Sequence, residues 1–264
     1  MKRIISLITD FGLKDNFVGV MKAVILKINP QALIVDITHQ INPQDILAGA
    51  FLLKNSYSYF PSGTIHLVVV DPGVGSTRKK ILVETKNYYF IAPDNGILSW
   101  VLKEQKPQKI FEITNVKYFL QPISNTFHGR DIFAPVAAYL SKGINPERFG
   151  RRIKSLKNLE LPSVKITPKQ LIGECIYIDH FGNLISNIEK DIFFSFIKNK
   201  NFKIFIKNKI IKKLSNSYTE GTPLRPVALF NSFGLLEIAL KDASLKKYLG
   251  IKKGEKIKVS LCQN

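Results

Sequence analysis

Apolar and polar positions fall in alternating blocks along the first half of the chain. Arg3 to Ile8 is a short apolar run that reads as a strand and ends on Thr9-Asp10-Phe11-Gly12. From Asp15 the pattern changes period: Phe17, Val20, Met21, Val24 and Ile28 recur at helical spacing, and Asn29-Pro30 stops them. Ala32 to Ile37 is a second apolar strand, closed by Thr38-His39. Pro43, then Ile46, Ala50, Leu52 and Leu53, predicts a second helix. Thr64 to Val70 is a third strand. Unbroken Val- and Ile-rich runs with helices between them predict a sheet covered on both faces, hence a mostly parallel one. Lys80 to Thr85 and Tyr88 to Ala92 read as a hairpin across Lys86-Asn87. Asn95 to Lys103 reads as a helix, Lys109 to Ile113 as a strand and Ile132 to Leu140 as a helix.

Beyond Pro162 and Pro168 the rhythm shortens. Leu171 to Ile178, Leu184 to Ile188, Phe202 to Ile206, Val227 to Phe230 and Lys256 to Leu261 are brief strand patterns. Turn signals such as His180-Phe181-Gly182-Asn183 and Asn231-Ser232-Phe233-Gly234 separate them. Short strands with frequent turns predict a small barrel or sandwich. The expected architecture is an α/β domain over residues 1–160 with a mostly parallel central sheet, followed by a small all-β, barrel-like domain over 168–264.

Composition adds three constraints. The chain has 264 residues, 45% of them hydrophobic, enough for a substantial core. No apolar run reaches the roughly 20 residues of a membrane-spanning helix. The first residues lack the pattern of a secretory signal, and two cysteines, Cys175 and Cys262, make no disulfide framework, so a cytoplasmic protein is expected. The formal charge of +19 raises the question of nucleic acid. Its lysines are dispersed, however, and alternate with Ile and Phe in stretches such as Lys198-Asn199-Lys200 and Lys207-Asn208-Lys209. A solvated lysine-rich surface is the better reading, with nucleic acid an unlikely partner.

Ligands of open α/β sheets bind beyond the carboxyl ends of the strands. Asp10, Asp36, His39 and Asp71 all sit at such ends. Asp15 reads as a helix cap, and Asp36 reads equally well as a turn residue or a functional one. Asp10-Phe11-Gly12 spells a kinase magnesium tripeptide but lacks the other kinase motifs. Gly73-Val74-Gly75-Ser76 lacks the ending of a phosphate-binding P-loop. His39, His66, His128 and His180 show no metal-type spacing, so no metal site is expected, and His66 reads as structural. What stands out is a polar cluster in two pieces, Asp71 to Arg78 and Thr126 to Asp131, offering a carboxylate, an imidazole and guanidinium groups on loops.

These residues carry a resemblance. The segments TDFG (9–12), DNFVGVMKAVI (15–25), VDITHQI (35–41), VVVDPGVGSTRK (68–79), APDNGIL (92–98), TFHGRDIFAP (126–135), IDHFGNLISNI (178–188) and NSFGLLEIA (231–239) resemble, in this order, the S-adenosyl-L-methionine hydroxide adenosyltransferases, relatives of the fluorinase and chlorinase enzymes. The resemblance implies hydrolysis of S-adenosyl-L-methionine to adenosine and L-methionine by water or hydroxide attacking the ribose 5′ carbon. It places Asp71, Arg78 and His128 around that water, with His128 accepting its proton and Arg78 holding it. It implies that Asp10, and in part Asp71, contact the ribose. Asp179 and Asn183 are implied to hold the methionine end; Ser232, Glu237 and the backbone near Leu240 the adenine side; Phe51 and Phe181 to pack near the ligand. Asn183 and Ser232 also read as plain turn residues, and Glu237 as a solvent-facing strand residue.

No cofactor beyond the substrate is implied, and a homotrimer with its site at the subunit interface is. Two alternatives stand beside this reading: a halogenase acting on the same substrate, and a non-catalytic adenosyl-ligand binder. Two departures weigh against the first. His128-Gly129 stands where the fluorinase places a halide-contacting Ser, and Phe233 replaces an Arg on its adenine side. A charged Asp-Arg-His group is also at odds with a dry halide pocket.

Overall fold

A computed structural model describes residues 4–262 of the chain. The chain divides into two compact units, Met1–Glu160 and Leu161–Asn264.

The first unit opens with β1 (Ile4–Thr9), whose Ile5, Leu7 and Ile8 are fully buried. Helix α1 (Phe17–Ile28) buries Val18, Met21 and Ile25, one stripe of a helix, and Asn29 closes it with a bond from its N–H to the Ile25 carbonyl. Asn16, not Asp15, occupies its cap position, and no side chain caps it. After β2 (Leu33–Thr38), Asp45 caps α2 (Ile46–Ser56) by accepting from the Ala48 N–H at 2.9 Å. There follow β3 (Ile65–Val69), the hairpin β4 (Lys80–Glu84) and β5 (Tyr89–Pro93), a one-turn helix α3 (Val101–Glu104) and β6 (Lys109–Ile113). A π-helical turn, Gly129–Phe133, leads into α4 (Ala134–Ser141), and β7 (Gly150–Arg152) ends the sheet.

The sheet has seven strands in the order β2-β1-β3-β5-β4-β6-β7. Pairs β1/β2, β1/β3 and β3/β5 are parallel, while β4/β5, β4/β6 and β6/β7 are antiparallel. Five strands therefore run one way, and only β4 and β7 run back. Met21 and Ile25 of α1, Phe133 of the π-helical turn, and Val136 and Leu140 of α4 join Ile5, Leu7, Ile65, Leu67, Leu82 and Ile91 in one core. Each such buried side chain contributes about 1.5–3 kcal/mol. Register sets Thr9 beside Val69 and Ile8 beside Thr38, so the carboxyl ends of β1, β2 and β3 share one edge.

The second unit is an antiparallel sheet curled into a nearly closed barrel. Its strands are β8 (Lys165–Ile166), β9 (Gln170–Ile178), β10 (Leu184–Glu189), β11 (Phe202–Ile206), β12 (Lys209–Ile211), β13 (Val227–Phe230), β14 (Leu235–Ala239) and β15 (Lys256–Leu261). They run in the order β12-β11-β15-β9-β10-β14-β13, with β8 on β9. Two short helices, α5 (Lys190–Ile197) and α6 (Leu245–Leu249), accompany the barrel. Phe193 and Ile197 of α5 and Leu245 of α6 enter the barrel core beside Leu184, Ile204, Leu236 and Ile257.

Candidate active site

The shared strand edge of the first unit carries a tightly bonded trio. Asp71 lies just past β3. The turn after it folds back through Val74 N–H to Asp71 O and Ser76 N–H to Gly73 O, and the Ser76 hydroxyl accepts from Arg78 N–H at 3.2 Å. That return points the Arg78 guanidinium at the Asp71 carboxylate. Arg78 Nε donates to Asp71 Oδ1 at 2.8 Å, and Nη2 donates to Oδ2. Nη2 also donates to His128 Nδ1 at 2.9 Å. The guanidinium further lies over the Phe133 ring, 5.4 Å from its centre.

This geometry fixes a tautomer. Arginine has donors only, so His128 Nδ1 must be the acceptor and carries no proton. Burial and then the positive charges of Arg78 and Lys80 hold the His128 pKa below its ordinary 6.5. The ring is therefore neutral at pH 7, with its proton on Nε2. Its one lone pair is already engaged, and the ring presents an N–H.

The His128 loop is braced from within. Asp131 is fully buried and accepts from Ser124 N–H at 2.8 Å and from Arg130 Nε at 2.6 Å. The two loops meet at Gly75. Its φ is +78°, and a Cβ there would stand 2.4 Å from the Asn125 carbonyl oxygen.

Asp10 is half-buried, accepts from Gln44 N–H at 2.7 Å, and has its pKa raised, first by burial and also by the nearby Asp71 charge. Asp36 bonds Lys22, and its Oδ1 lies 3.1 Å from His39 Nε2. His39 accepts or donates through Nδ1 to Thr9 Oγ1 at 2.8 Å, and its backbone carbonyl takes Gly12 N–H at 2.7 Å. Asp36 and His39 thus brace the Asp10 loop. Phe51 is buried against Trp100, inside α2. His66 is fully buried among Tyr57, Phe60, Tyr88 and Phe90. Among the described residues, no group of three or more His, Cys, Asp or Glu is arranged to hold a metal ion.

In the second unit, Asp179, Phe181, Asn183, Tyr218 and Leu240 line a cavity of about 610 Å³, within the usual range for small-molecule sites. Asp179 ties down the His180–Asn183 turn, its two oxygens accepting from Asn183 N at 2.7 Å and Nδ2 at 3.0 Å. Glu237 is not solvent-facing: it is 2% exposed and lies behind the cavity wall, bonded to Tyr218 and Asn231. Ser232 stands exposed on the turn 231–234, outside the cavity lining. Tyr218 escaped the sequence reading because Asn216-Ser217-Tyr218-Thr219-Glu220 carries no periodic pattern.

A mixed α/β sheet with a hydrogen-bonded Asp–Arg–His trio at its strand ends, joined in sequence to a small antiparallel barrel with a ligand-sized cavity, defines a two-domain enzyme class. The S-adenosyl-L-methionine hydroxide adenosyltransferase N-terminal domain matches residues 5–150, and the C-terminal domain of the same family matches residues 173–258. The chain belongs to the S-adenosyl-L-methionine hydroxide adenosyltransferase family. It is 39% identical to a protein of Methanocaldococcus jannaschii named (R)-S-adenosyl-L-methionine hydrolase, over 94% of this chain and 92% of that one. It is 32% identical to a Thermus thermophilus protein of the same name, over 97% and 99%. A fluorinase of Actinopolyspora mzabensis is more distant, at 27% identity over 97% of each chain. Among solved structures, an uncharacterized conserved protein from Thermotoga maritima superposes with a TM-score of 0.90 at 38% identity, covering 97% of this chain and 99% of that one.

Proposed function

We propose that this protein hydrolyses S-adenosyl-L-methionine to adenosine and L-methionine. The observation that carries the reading is the Asp71–Arg78–His128 trio at the strand edge. An oxygen attacks the ribose 5′ carbon; the C5′–O bond forms as the C5′–S bond breaks, and its electron pair stays on sulfur. The sulfonium becomes a neutral thioether, so the leaving group needs neither a proton nor a metal, and we propose a reaction without a cofactor.

The difficulty lies in the nucleophile, because water has a pKa of about 15.7. Here the trio acts as a donor array. Arg78 supplies fixed positive charge and His128 an Nε2–H, both of which favour an oxygen with hydroxide character over neutral water. The water's proton leaves to solvent. Asp71 holds the guanidinium in register, and holding the oxygen in line supplies further acceleration. Asp10 serves the ribose hydroxyls, while Asp179 and Asn183 serve the methionine end. Ser232 and the backbone near Leu240 serve the adenine.

The working assembly in this proposal is a homotrimer with its site at the subunit interface, as the family resemblance implies. We place it in the cytoplasm, which two unpaired cysteines support. The test is incubation of the purified protein with S-adenosyl-L-methionine in ¹⁸O-labelled water, with and without a chelator. Adenosine labelled at the 5′ hydroxyl, formed equally in both, is expected. Unlabelled adenosine, or none, defeats the proposal.

A further inference from the structure

Glu237 is the most deeply buried acid of the second unit, yet it sits one side chain away from a cavity. Its carboxylate makes two bonds: Oε1 accepts from the Tyr218 hydroxyl at 2.7 Å, and Oε2 accepts from Asn231 Nδ2 at 3.1 Å. Both partners belong to irregular chain. Tyr218 opens the single 3₁₀ turn Tyr218–Glu220, is 45% exposed, and lines the 610 Å³ cavity with Phe181. Asn231 organises the next turn, where its Oδ1 accepts from Phe233 N–H at 3.0 Å and Leu235 N–H at 3.1 Å. Glu237 itself is held on both sides, paired with Ile185 of β10 and Leu229 of β13. A strand paired on both edges therefore reaches out through one carboxylate to two loops.

Burying an acid is costly unless it is bonded, and here burial raises the Glu237 pKa while its two donors lower it. The Tyr218 hydroxyl is spent on that acid. What Tyr218 offers the cavity is its ring, which suits a flat aromatic group and not a hydrogen-bonding edge. We infer that Glu237 is a positioning residue that clamps the Tyr218 ring and the Asn231 turn, making Tyr218 a fixed wall for the nucleobase of the substrate. The inference rests on the hydrolase reading for the identity of the nucleobase, and it removes Glu237 from direct contact with the ligand.

The clamp predicts a pattern across variants of the full chain. Glu237→Ala and Tyr218→Phe each raise KM for S-adenosyl-L-methionine about tenfold while kcat stays within about threefold, because the loss is in binding. Tyr218→Phe keeps the whole ring, so its effect reports the hydroxyl bond alone. The double variant is no worse than either single one, since both break the same bond. Glu237→Gln, which retains an acceptor, recovers part of the loss. Adenosine binding by equilibrium dialysis falls in parallel. An unchanged KM in Tyr218→Phe, additive effects, or kcat falling as far as KM rises overturns the clamp. If the wild type hydrolyses nothing but binds adenosine, and the variants bind it more weakly, the hydrolase reading fails and the clamp stands. If the wild type hydrolyses its substrate and the variants match it, the clamp fails alone. Absence of both turnover and adenosine binding overturns both.

Discussion

Arg78 donates through one nitrogen to both Asp71 and His128, so its planar fork sets the position of the other two side chains. A lysine brings a single ammonium that cannot span both partners. Arg78→Lys is expected to lower kcat by about 10²–10³-fold, the cost of losing one donor aimed at developing charge. A loss below about threefold in steady-state assays would show that the guanidinium is only scaffolding. His128 gives a second expectation at this scale. Its folded pKa lies below 6.5, so the Nδ1 lone pair persists well into mild acid, and protonation then sets two donors against each other. The acid limb of kcat/KM should therefore fall below pH 6.5. A limb at or above that value contradicts the assignment.

At the level of elements, Gly75 decides how the two loops of the trio meet. Gly75→Ala adds a methyl that would stand 2.4 Å from the Asn125 carbonyl, on a backbone of positive φ. The loops must part, and a displacement of about 1 Å costs on the order of 100-fold in rate. Gly254→Ala, at φ +82° with open space around it, bears similar strain without that contact. Activity in this control should stay near wild type; equal losses in both would reduce the effect to backbone strain.

The strands were the legible elements, because a run such as Leu67-Val68-Val69-Val70 has no other way to bury itself. The helix expected from Asn95 shrank to Val101–Glu104 for a reason that periodicity does not record. Asn95 spends its side chain on the Val70 carbonyl and the Ile97 N–H, and Asp94 accepts from Lys157 N–H. The two long-range bonds, to Val70 and from Lys157, with the local one to Ile97, hold the segment in turns. The sequence reading assigned no element to α5, although its buried pair Phe193 and Ile197 stands at helical i, i+4 spacing. Of the trio, residue types and strand-end placement were readable from sequence, whereas the tautomer of His128 depends on a contact across 50 positions.

For the molecule as a whole, stability carries a signature of its own. Burial pushes the His66 pKa down to about 3 from 6.5. The native state refuses a proton that the unfolded chain accepts, so this contribution is complete above pH 6.5 and drains away as pH falls toward 3. The expected slope is up to about 1.4 kcal/mol per pH unit. Urea unfolding at pH 7, 5 and 4 should show a flatter dependence for His66→Gln than for wild type, whatever the offset between them; parallel curves would refute the assignment. Some lysines of this basic chain are neutralised in pairs such as Lys109–Glu147 and Lys207–Glu255, and others lie over aromatic rings, as Lys258 does on Phe205. The π-helical turn Gly129–Phe133 has a consequence for the length of the chain. Such a turn is an α-helix holding one residue more than its hydrogen bonds require. Removing one residue there would convert the turn to regular helix, at the expense of a segment that supplies Ile132 and Phe133 to the core. It would also swing everything upstream by about 100° around the helix axis, carrying His128 off Arg78. The widened turn is thus what aims the imidazole, one residue of extra helix devoted to the direction of a single side chain.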